Sequence, residues 1–331
     1  MEQVLVTGAS GFIAKHIVRE LLEQGYSVRA SVRSEEGRAQ VRALFPDAPL
    51  AFTSLDLGSD AGWDAAMEGI SALIHTASPF PAAMPRDRNE LIEPAVDGTR
   101  RALTAAARAG VPRAVVTSSV AAIYKDAAKP RSQQATRDQW TDPDGPDTTA
   151  YEASKTLAER TAWEIAAEHP ALALTTINPG GVFGPPMDAH YGTSLGWVQR
   201  WVTGRDPLQP KSDMAIVDVR DVARMHVRAL STPETIGKRY PANAGALTYT
   251  AMASILREAF PDRRISTREA PDWVVHLVAT FDPSARPVLG NLAGRTLDVD
   301  GRDAPADMGF DYIPSRDALL ASADHLIAHG A

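Results

Sequence analysis

The chain has 331 residues, 44% hydrophobic, 23% charged and 6% aromatic, which suits one large domain or two closely joined ones with a full core. Its formal net charge of -7 argues against a nucleic-acid surface, which needs clustered Lys and Arg. It has no cysteine, so disulfides, thiolate nucleophiles and zinc–thiolate sites are excluded, and its 8 His show no metal-binding spacing.

The opening stretch, MEQVLVTGAS, lacks the basic region and long apolar segment of a signal peptide. No run approaches the ~20 apolar residues of a membrane span, so a cytoplasmic location without a membrane partner is expected. Strand and helix patterns then alternate. Residues 4–7 are a short apolar run ending at a glycine. Residues 12–24 have helical periodicity, with Ile13, Ile17, Leu21 and Leu22 on one face, and Gly25 stops them. Residues 26–32, 50–57 and 72–77 read as strands two to four, with a short helix at 63–67. A long helix at 91–109 closes at Gly110 and Pro112. A fifth strand follows at 113–119, a helix at 151–168 and a sixth strand at 172–180. Residues 181–212 are irregular and rich in Gly, Pro and aromatics. Residues 215–230 restore a strand and a helix, and 246–331 carry helical stretches broken by Pro.

This alternation predicts an α/β fold, a parallel sheet with helices on both faces and a smaller, mostly C-terminal lobe. The expected division is 1–177 with 213–245 for the nucleotide domain, and 178–212 with 246–331 for the substrate lobe.

VLVTGASGFIAKHI is Gly-x-x-Gly-x-x-Ala at the first strand-to-helix turn, where a Rossmann doubly wound sheet holds a dinucleotide. Gly8 permits the tight turn, Gly11 lets the backbone approach a pyrophosphate, and Ala14 lets helix and strand pack closely. The helix N-terminus adds N–H groups and a positive dipole end. Ser10, Phe12 and Ile13 in the same turn are counted as cofactor contacts. At the end of strand two, an NAD site usually has an acid for the ribose 2′-OH. Here Ser31 or Val32 occupies that position and Arg33 follows, suited to a 2′-phosphate, with Arg38 adding to it. The cofactor expected is NADP. Glu35 and Glu36 are expected to face solvent in the loop. Asp56 and Leu57 are placed to meet an adenine, though Asp56 serves equally as a helix cap.

In AYEASKTLAER, Tyr151 lies four residues before Lys155 on what reads as a helix. Alone, the spacing fits a surface helix whose long Lys stem covers an exposed Tyr. Together with VTGASGFIAKHIV, SVRS, the Asp-Leu of 56–57, HTASPF, VVTSSVAAI, INPGGVFGP and VDVRDVARMHV, it forms an ordered set over residues 4–227. In these motifs the chain resembles the extended short-chain dehydrogenase/reductases, within them the dihydroflavonol reductase-like family that includes the yeast-type aldehyde and ketone reductases.

The resemblance implies that Tyr151 donates a proton to the carbonyl oxygen being reduced. Free tyrosine has a pKa near ~10, and an ammonium one turn away is expected to lower it. Lys155 fits that role and would also bind the nicotinamide ribose. Ser119 would hydrogen-bond the substrate oxygen, with Ser118 the competing choice. Pro179 and Val182 would pack on the nicotinamide, Ala77 would lie near the cofactor's ribose, and Thr117 is a weaker candidate of the same kind. Tyr151 is preceded by Thr-Thr-Ala rather than the Asn-Trp of cinnamoyl-CoA reductases, which argues against a CoA thioester.

Phe80 and Phe183 are the first candidates for a substrate wall, followed by Trp140, Tyr191, Trp197 and Trp201. The two tryptophans at i and i+4 fit core or dimer contacts better. Arg86 and Arg88 lie in a loop that could cover the site. His226 and Asp221 are expected to anchor the second lobe rather than take part in chemistry. The expected activity is NADPH-dependent reduction of an aryl or branched alkyl ketone or aldehyde by a monomer or homodimer. The alternatives are a sugar-nucleotide epimerase or dehydratase, a hydroxysteroid-type dehydrogenase, and a non-catalytic NADP-binding sensor.

Overall fold

The computed structural model describes residues 2–79, 85, 87–126, 128, 133–271, 273–274, 277 and 297–331. The chain alternates as predicted through β1 (Gln3–Thr7), α1 (Phe12–Glu23), β2 (Ser27–Val32), α2 (Glu35–Leu44), β3 (Leu50–Ser54), α3 (Trp63–Met67) and β4 (Ala72–His75). It continues with α4 (Asn89–Arg108), β5 (Arg113–Thr117), α5 (Ala150–Glu168), β6 (Ala173–Pro179), β7 (Gly181–Phe183) and α6 (Thr193–Val202). Then come β8 (Asp213–Asp218), α7 (Val219–Ser231), β9 (Arg239–Ala242), β10 (Gly245–Thr248), α8 (Tyr249–Ala259), α9 (Asp303–Met308) and α10 (Ser315–Ala328).

The large sheet has the order β3-β2-β1-β4-β5-β6-β9, and every neighbouring pair is parallel. Its strands are apolar on both faces because helices cover both. Successive residues alternate between two cores, as the strand's twofold period requires. Val4, Val6, Ala72, Ile74 and Val115 join α1 and α7 on one side. Leu5, Leu73, Ala114 and Val116 join α3, α4 and α5 on the other.

β9 was not anticipated. It is an edge strand containing Pro241, which costs nothing where the missing N–H has no neighbour to meet. Helix α2 also departs from the loop expected at Glu35 and Glu36. Ser34 caps it by accepting from Gly37 N (3.2 Å), and both acids sit in its first turn while remaining exposed.

The smaller sheet has the order β10-β8-β7. The expected division put residues 213–218 with the nucleotide domain; β8 instead pairs with β7 and β10. The chain crosses from the large sheet to the small one at Gly180. A Cβ there would overlap the Ala215 carbonyl, so only glycine lets β7 leave β6 this close to β8. The core on the α1 and α7 side continues into α6, α8 and α10 without a break, through Trp201, Tyr249, Leu256 and Leu319.

Candidate active site

The strand order reverses between β1 and β4: β2 and β3 are added on one side of β1, and β4, β5 and β6 on the other. Doubly wound sheets bind ligands at the carboxyl ends of the strands at this switch. A cavity of ≈ 1000 Å³ lies there. Following the sheet, its wall takes Asp56 and Leu57 after β3, Arg33 after β2, Gly8 after β1, Ala77 after β4, Thr117 and Ser119 at the end of β5, and Pro179 from β6. Helix α5 adds Tyr151 and Lys155, and β7 adds Val182.

At the β1–α1 turn the wall is largely backbone. Gly8 has φ +66°, and a Cβ on it would stand 3.0 Å from Ala77 Cα. Gly11 N donates to Gly8 O at 2.9 Å, and helix α1 begins at the next residue. Ser10, Phe12 and Ile13 also line the cavity. Thr7 ties the two switch strands together: its hydroxyl accepts from Thr76 N and Ala77 N, each at 3.1 Å. With those acceptor positions filled, it donates to His75 Nδ1 at 2.8 Å. Burial pushes His75 down to about 4, so this nitrogen is an acceptor at neutral pH. A glycine cradle, a helix N-terminus and a cavity that runs past the ends of β3, β2, β1, β4 and β5 are the features a dinucleotide needs, so the residues present fit one.

Arg33 lines the cavity and, among the described residues, makes no hydrogen bond or ion pair. Arg38 lies outside the cavity wall, 3.5 Å from Glu35 and with its guanidinium 5.3 Å over the Phe52 ring. Asp56 does cap a turn, accepting from Gly58 N at 2.7 Å, while also facing the cavity. Thr117 donates to His226 Nε2 at 2.7 Å, because His226 Nδ1 is committed to Val222 O at 2.7 Å. Burial holds His226 near 4, so the Thr117 oxygen can only accept from a ligand.

Tyr151 stands in the first turn of α5, behind a capping box. Thr149 Oγ1 accepts from Glu152 N (3.2 Å), and Glu152 Oε2 accepts from Thr149 N (2.7 Å). The buried Lys125 pairs with Glu152 at 2.6 Å, and Tyr124 OH donates to the same carboxylate at 2.7 Å. Lys155 Nζ lies 5.8 Å from the Tyr151 ring centre and donates to Ser78 Oγ at 3.0 Å. Burial lowers Lys155 to about 8, with Glu159 acting in the opposite direction. The expected lowering of Tyr151 is corrected: burial raises the phenol, the Ser119 hydrogen bond only partly offsets this, and Glu152 adds to the rise. Ser119 Oγ accepts from Ala121 N (3.1 Å), and its hydroxyl also bonds the Tyr151 phenol, which brings the two hydroxyls together at the cavity wall. Ser118, the alternative, gives its hydrogen to Glu159 at 2.6 Å.

The substrate wall differs from expectation. Phe183 is fully buried in the core, because Val182 and Phe183 alternate across β7 and Val182 takes the cavity side. Trp201 is buried and donates to Gln209 at 2.6 Å, with Tyr249 edge-on to it and Trp197 tilted against it at 37°. Trp140 lies under the Arg239 guanidinium at 3.6 Å. Tyr191 does line the cavity. Phe80 and Arg86 lie outside the described residues. Arg88 bonds the Pro143 carbonyl and lies 3.5 Å from Asp144. Asp221 accepts from Ile313 N at 2.7 Å, which joins α7 to the C-terminal segment.

Sequence reading missed Ser78, Ser34, Glu90 and Glu159. Ser34 had a signal in the Ser-Glu-Glu start of α2. Glu159 had one in standing four residues beyond Lys155, on the same helix face.

Among the described residues no helix is long and apolar enough to cross a membrane, and no cluster of His, Asp and Glu could hold a metal ion. The model of the NAD dependent epimerase/dehydratase family matches residues 4–245. Cinnamoyl-CoA reductase 1 of Petunia hybrida is 36% identical over 270 residues, covering 80% of this chain and 79% of its own. Ketoreductase azaE of Aspergillus niger is 34% identical over 337 residues, covering 93% and 97%. The crystal structure of yeast methylglyoxal/isovaleraldehyde reductase Gre2 with NADPH superposes with a TM-score of 0.82 at 27% identity, over 99% of this chain and 98% of that one. The chain thus belongs to the NAD dependent epimerase/dehydratase family, in its extended short-chain branch with the dihydroflavonol reductase-like and yeast-type reductases.

Proposed function

We propose that the chain is an NADPH-dependent carbonyl reductase that converts an aryl or branched alkyl ketone or aldehyde to an alcohol. The observation that carries this reading is one cavity walled by the glycine turn, Arg33 and the Ser119–Tyr151–Lys155 set. Arg33, with no protein partner among the described residues, would hold the 2′-phosphate beside the N-terminus of α2. Gly8, Gly11 and the start of α1 would hold the pyrophosphate. Bound NADPH supplies the hydride.

The protein supplies position and a proton. Burial keeps Tyr151 protonated at neutral pH, the state a proton donor needs. Ser119 OH, whose oxygen is already held by Ala121 N, donates to the substrate oxygen as negative charge builds there. Tyr151 OH then gives its proton to that oxygen. The Lys155 ammonium, held by Ser78, stabilises the phenolate left behind.

Cinnamoyl-CoA reductases among the relatives favour a second reading, a CoA thioester substrate. Against it stands Thr148-Thr149-Ala150 before the tyrosine, where Thr149 is the helix cap.

The test is NADPH and NADH consumption against aryl ketones, diketones, branched aldehydes and cinnamoyl-CoA, with Tyr151→Phe alongside. The expected result is oxidation of NADPH by the wild type and a kcat lower by ~10²–10⁴-fold in the variant, with NADPH binding kept. A protein that binds NADPH yet reduces no carbonyl sinks the reading. Preference for cinnamoyl-CoA replaces the substrate class.

A further inference from the structure

The polar side of β6 faces away from the cavity into a buried network. Thr176 and Asn178 are fully buried, in a strand that otherwise feeds two apolar cores. Buried polar groups persist only when paired, so their partners explain them. Both bond Glu159 of α5, itself almost wholly buried. Glu159 Oε1 accepts from Arg239 Nε at 2.6 Å, Thr176 Oγ1 at 2.9 Å and Trp163 Nε1 at 3.3 Å. Its Oε2 accepts from Ser118 Oγ at 2.6 Å, Asn178 Nδ2 at 2.7 Å and Arg239 NH2 at 3.3 Å.

Arg239 is equally committed. Beyond Glu159, its guanidinium donates to Arg137 O at 2.7 Å, Gln139 O at 2.6 Å and Ala122 O at 3.4 Å. The pair therefore fastens the catalytic helix to β6, to β9 and to the segment that follows β5.

Two of these bonds flank Ser119. Ser118, one residue before, is held by its hydroxyl to Glu159. The Ser119 carbonyl itself accepts from Asn178 Nδ2 at 3.2 Å, and Asn178 is held by the same carboxylate. Along α5, Glu159 stands one turn beyond Lys155, which stands one turn beyond Tyr151.

We propose that Glu159, locked by Arg239, is a positioning residue for the reduction, fixing the Ser119 hydroxyl through Ser118 and Asn178 and placing a negative charge behind Lys155. This rests on the reductase reading above. A carboxylate behind an ammonium favours its charged form, and Glu159 does act upward on Lys155. The other groups near Lys155 are the neutral His75 at the end of β4 and the Tyr151 phenol, and Glu90 of α4 lines the same cavity. Arg239 reaches it only across Glu159. Glu159→Gln removes the balancing charge and leaves Arg239 unopposed, so the Lys155 pKa moves below about 8.

Glu159→Gln, Glu159→Asp and Ser118→Ala test this. Each is read by NADPH binding from fluorescence across neutral and alkaline pH, by kcat and KM for a reduced carbonyl, and by thermal midpoint. With Glu159→Gln, the alkaline limb of NADPH binding is expected to move down by about one unit, and kcat to fall up to about 100-fold with KM little changed. Glu159→Asp restores the limb because it keeps the charge. A folded Gln variant with wild-type limb and kcat overturns the proposal. If the Gln variant does not fold, Ser118→Ala decides. A kcat about 10-fold lower at an unchanged thermal midpoint supports the role, and a wild-type kcat overturns it. A wild type that reduces no carbonyl overturns the reductase reading alone, and the binding limb, which needs no turnover, still reports on Glu159.

Discussion

Where the cavity meets the β1–α1 turn, its wall is glycine and main chain, with Gly8 at φ +66° and Gly11 bonded back to Gly8 O. Where it meets α5, its wall is Ser119, Tyr151 and Lys155, backed by Glu159 and Asn178, which do not line the cavity. The first end recognises an anion through geometry any sequence with those glycines can adopt. The second sets protonation states, and that requires buried carboxylates and cations in fixed register. A substitution at the first end should therefore act on binding of any dinucleotide, and one at the second on turnover.

Beside the loss of turnover given for Tyr151→Phe, the largest expected effect is at Gly8. Gly8→Val forces a β-branched residue into the left-handed region and drives its Cβ to 3.0 Å from Ala77 Cα. Strain of this kind costs about 1–3 kcal/mol of stability. Both NADPH and NADH should bind at least about 100-fold more weakly, since the N–H groups leave the anion's reach. Titration of each cofactor, beside a thermal melt, checks this. Loss of turnover with intact binding would erase the contrast between the two ends.

Arg33→Ala sharpens the same contrast within the cofactor end. A charge-assisted hydrogen bond contributes roughly 1.5–3 kcal/mol, or about 10–100-fold. NADPH should weaken by that factor and NADH should not change. Equal weakening of both would place the 2′-phosphate elsewhere.

The difference between the ends also decides what could be read in the residues. The glycine turn is contiguous, so its seven residues carry their own geometry, and the strand-to-helix alternation around it is written in local periodicity. The Tyr151–Lys155 pair is likewise local to one helix. Phe183 misled because an aromatic one residue beyond Val182 looks like a wall, yet the twofold period of β7 turns it into the core. Arg38 is harder to read, because a basic residue near strand two can serve Glu35 and Phe52 as well as a phosphate. Glu159 and Arg239 stand 80 positions apart, and β9 meets β6 only in the folded sheet. No spacing rule brings such a pair together. The strand β8 was readable as a strand, but its choice of the smaller sheet depends on Gly180 and Ala215 approaching each other.

The smallest effect tests whether the catalytic end depends on its helix start. Thr149 and Glu152 form a capping box directly around Tyr151, and Glu152 is also the partner of Lys125 and Tyr124. Thr149→Ala removes the cap hydroxyl while leaving the Thr149 N–H to Glu152 bond in place. Loss of such a cap costs about 1 kcal/mol. Because the box is doubled by the Lys125 pair, the first turn of α5 should hold and Tyr151 should stay in register with Ser119. A thermal midpoint lowered by a few degrees with kcat within about threefold is the expected outcome. If kcat instead falls as far as it does for Glu159→Gln, the cap rather than the Glu159–Arg239 pair sets the tyrosine, and the side-chain end of the cavity is held from its N-terminal turn.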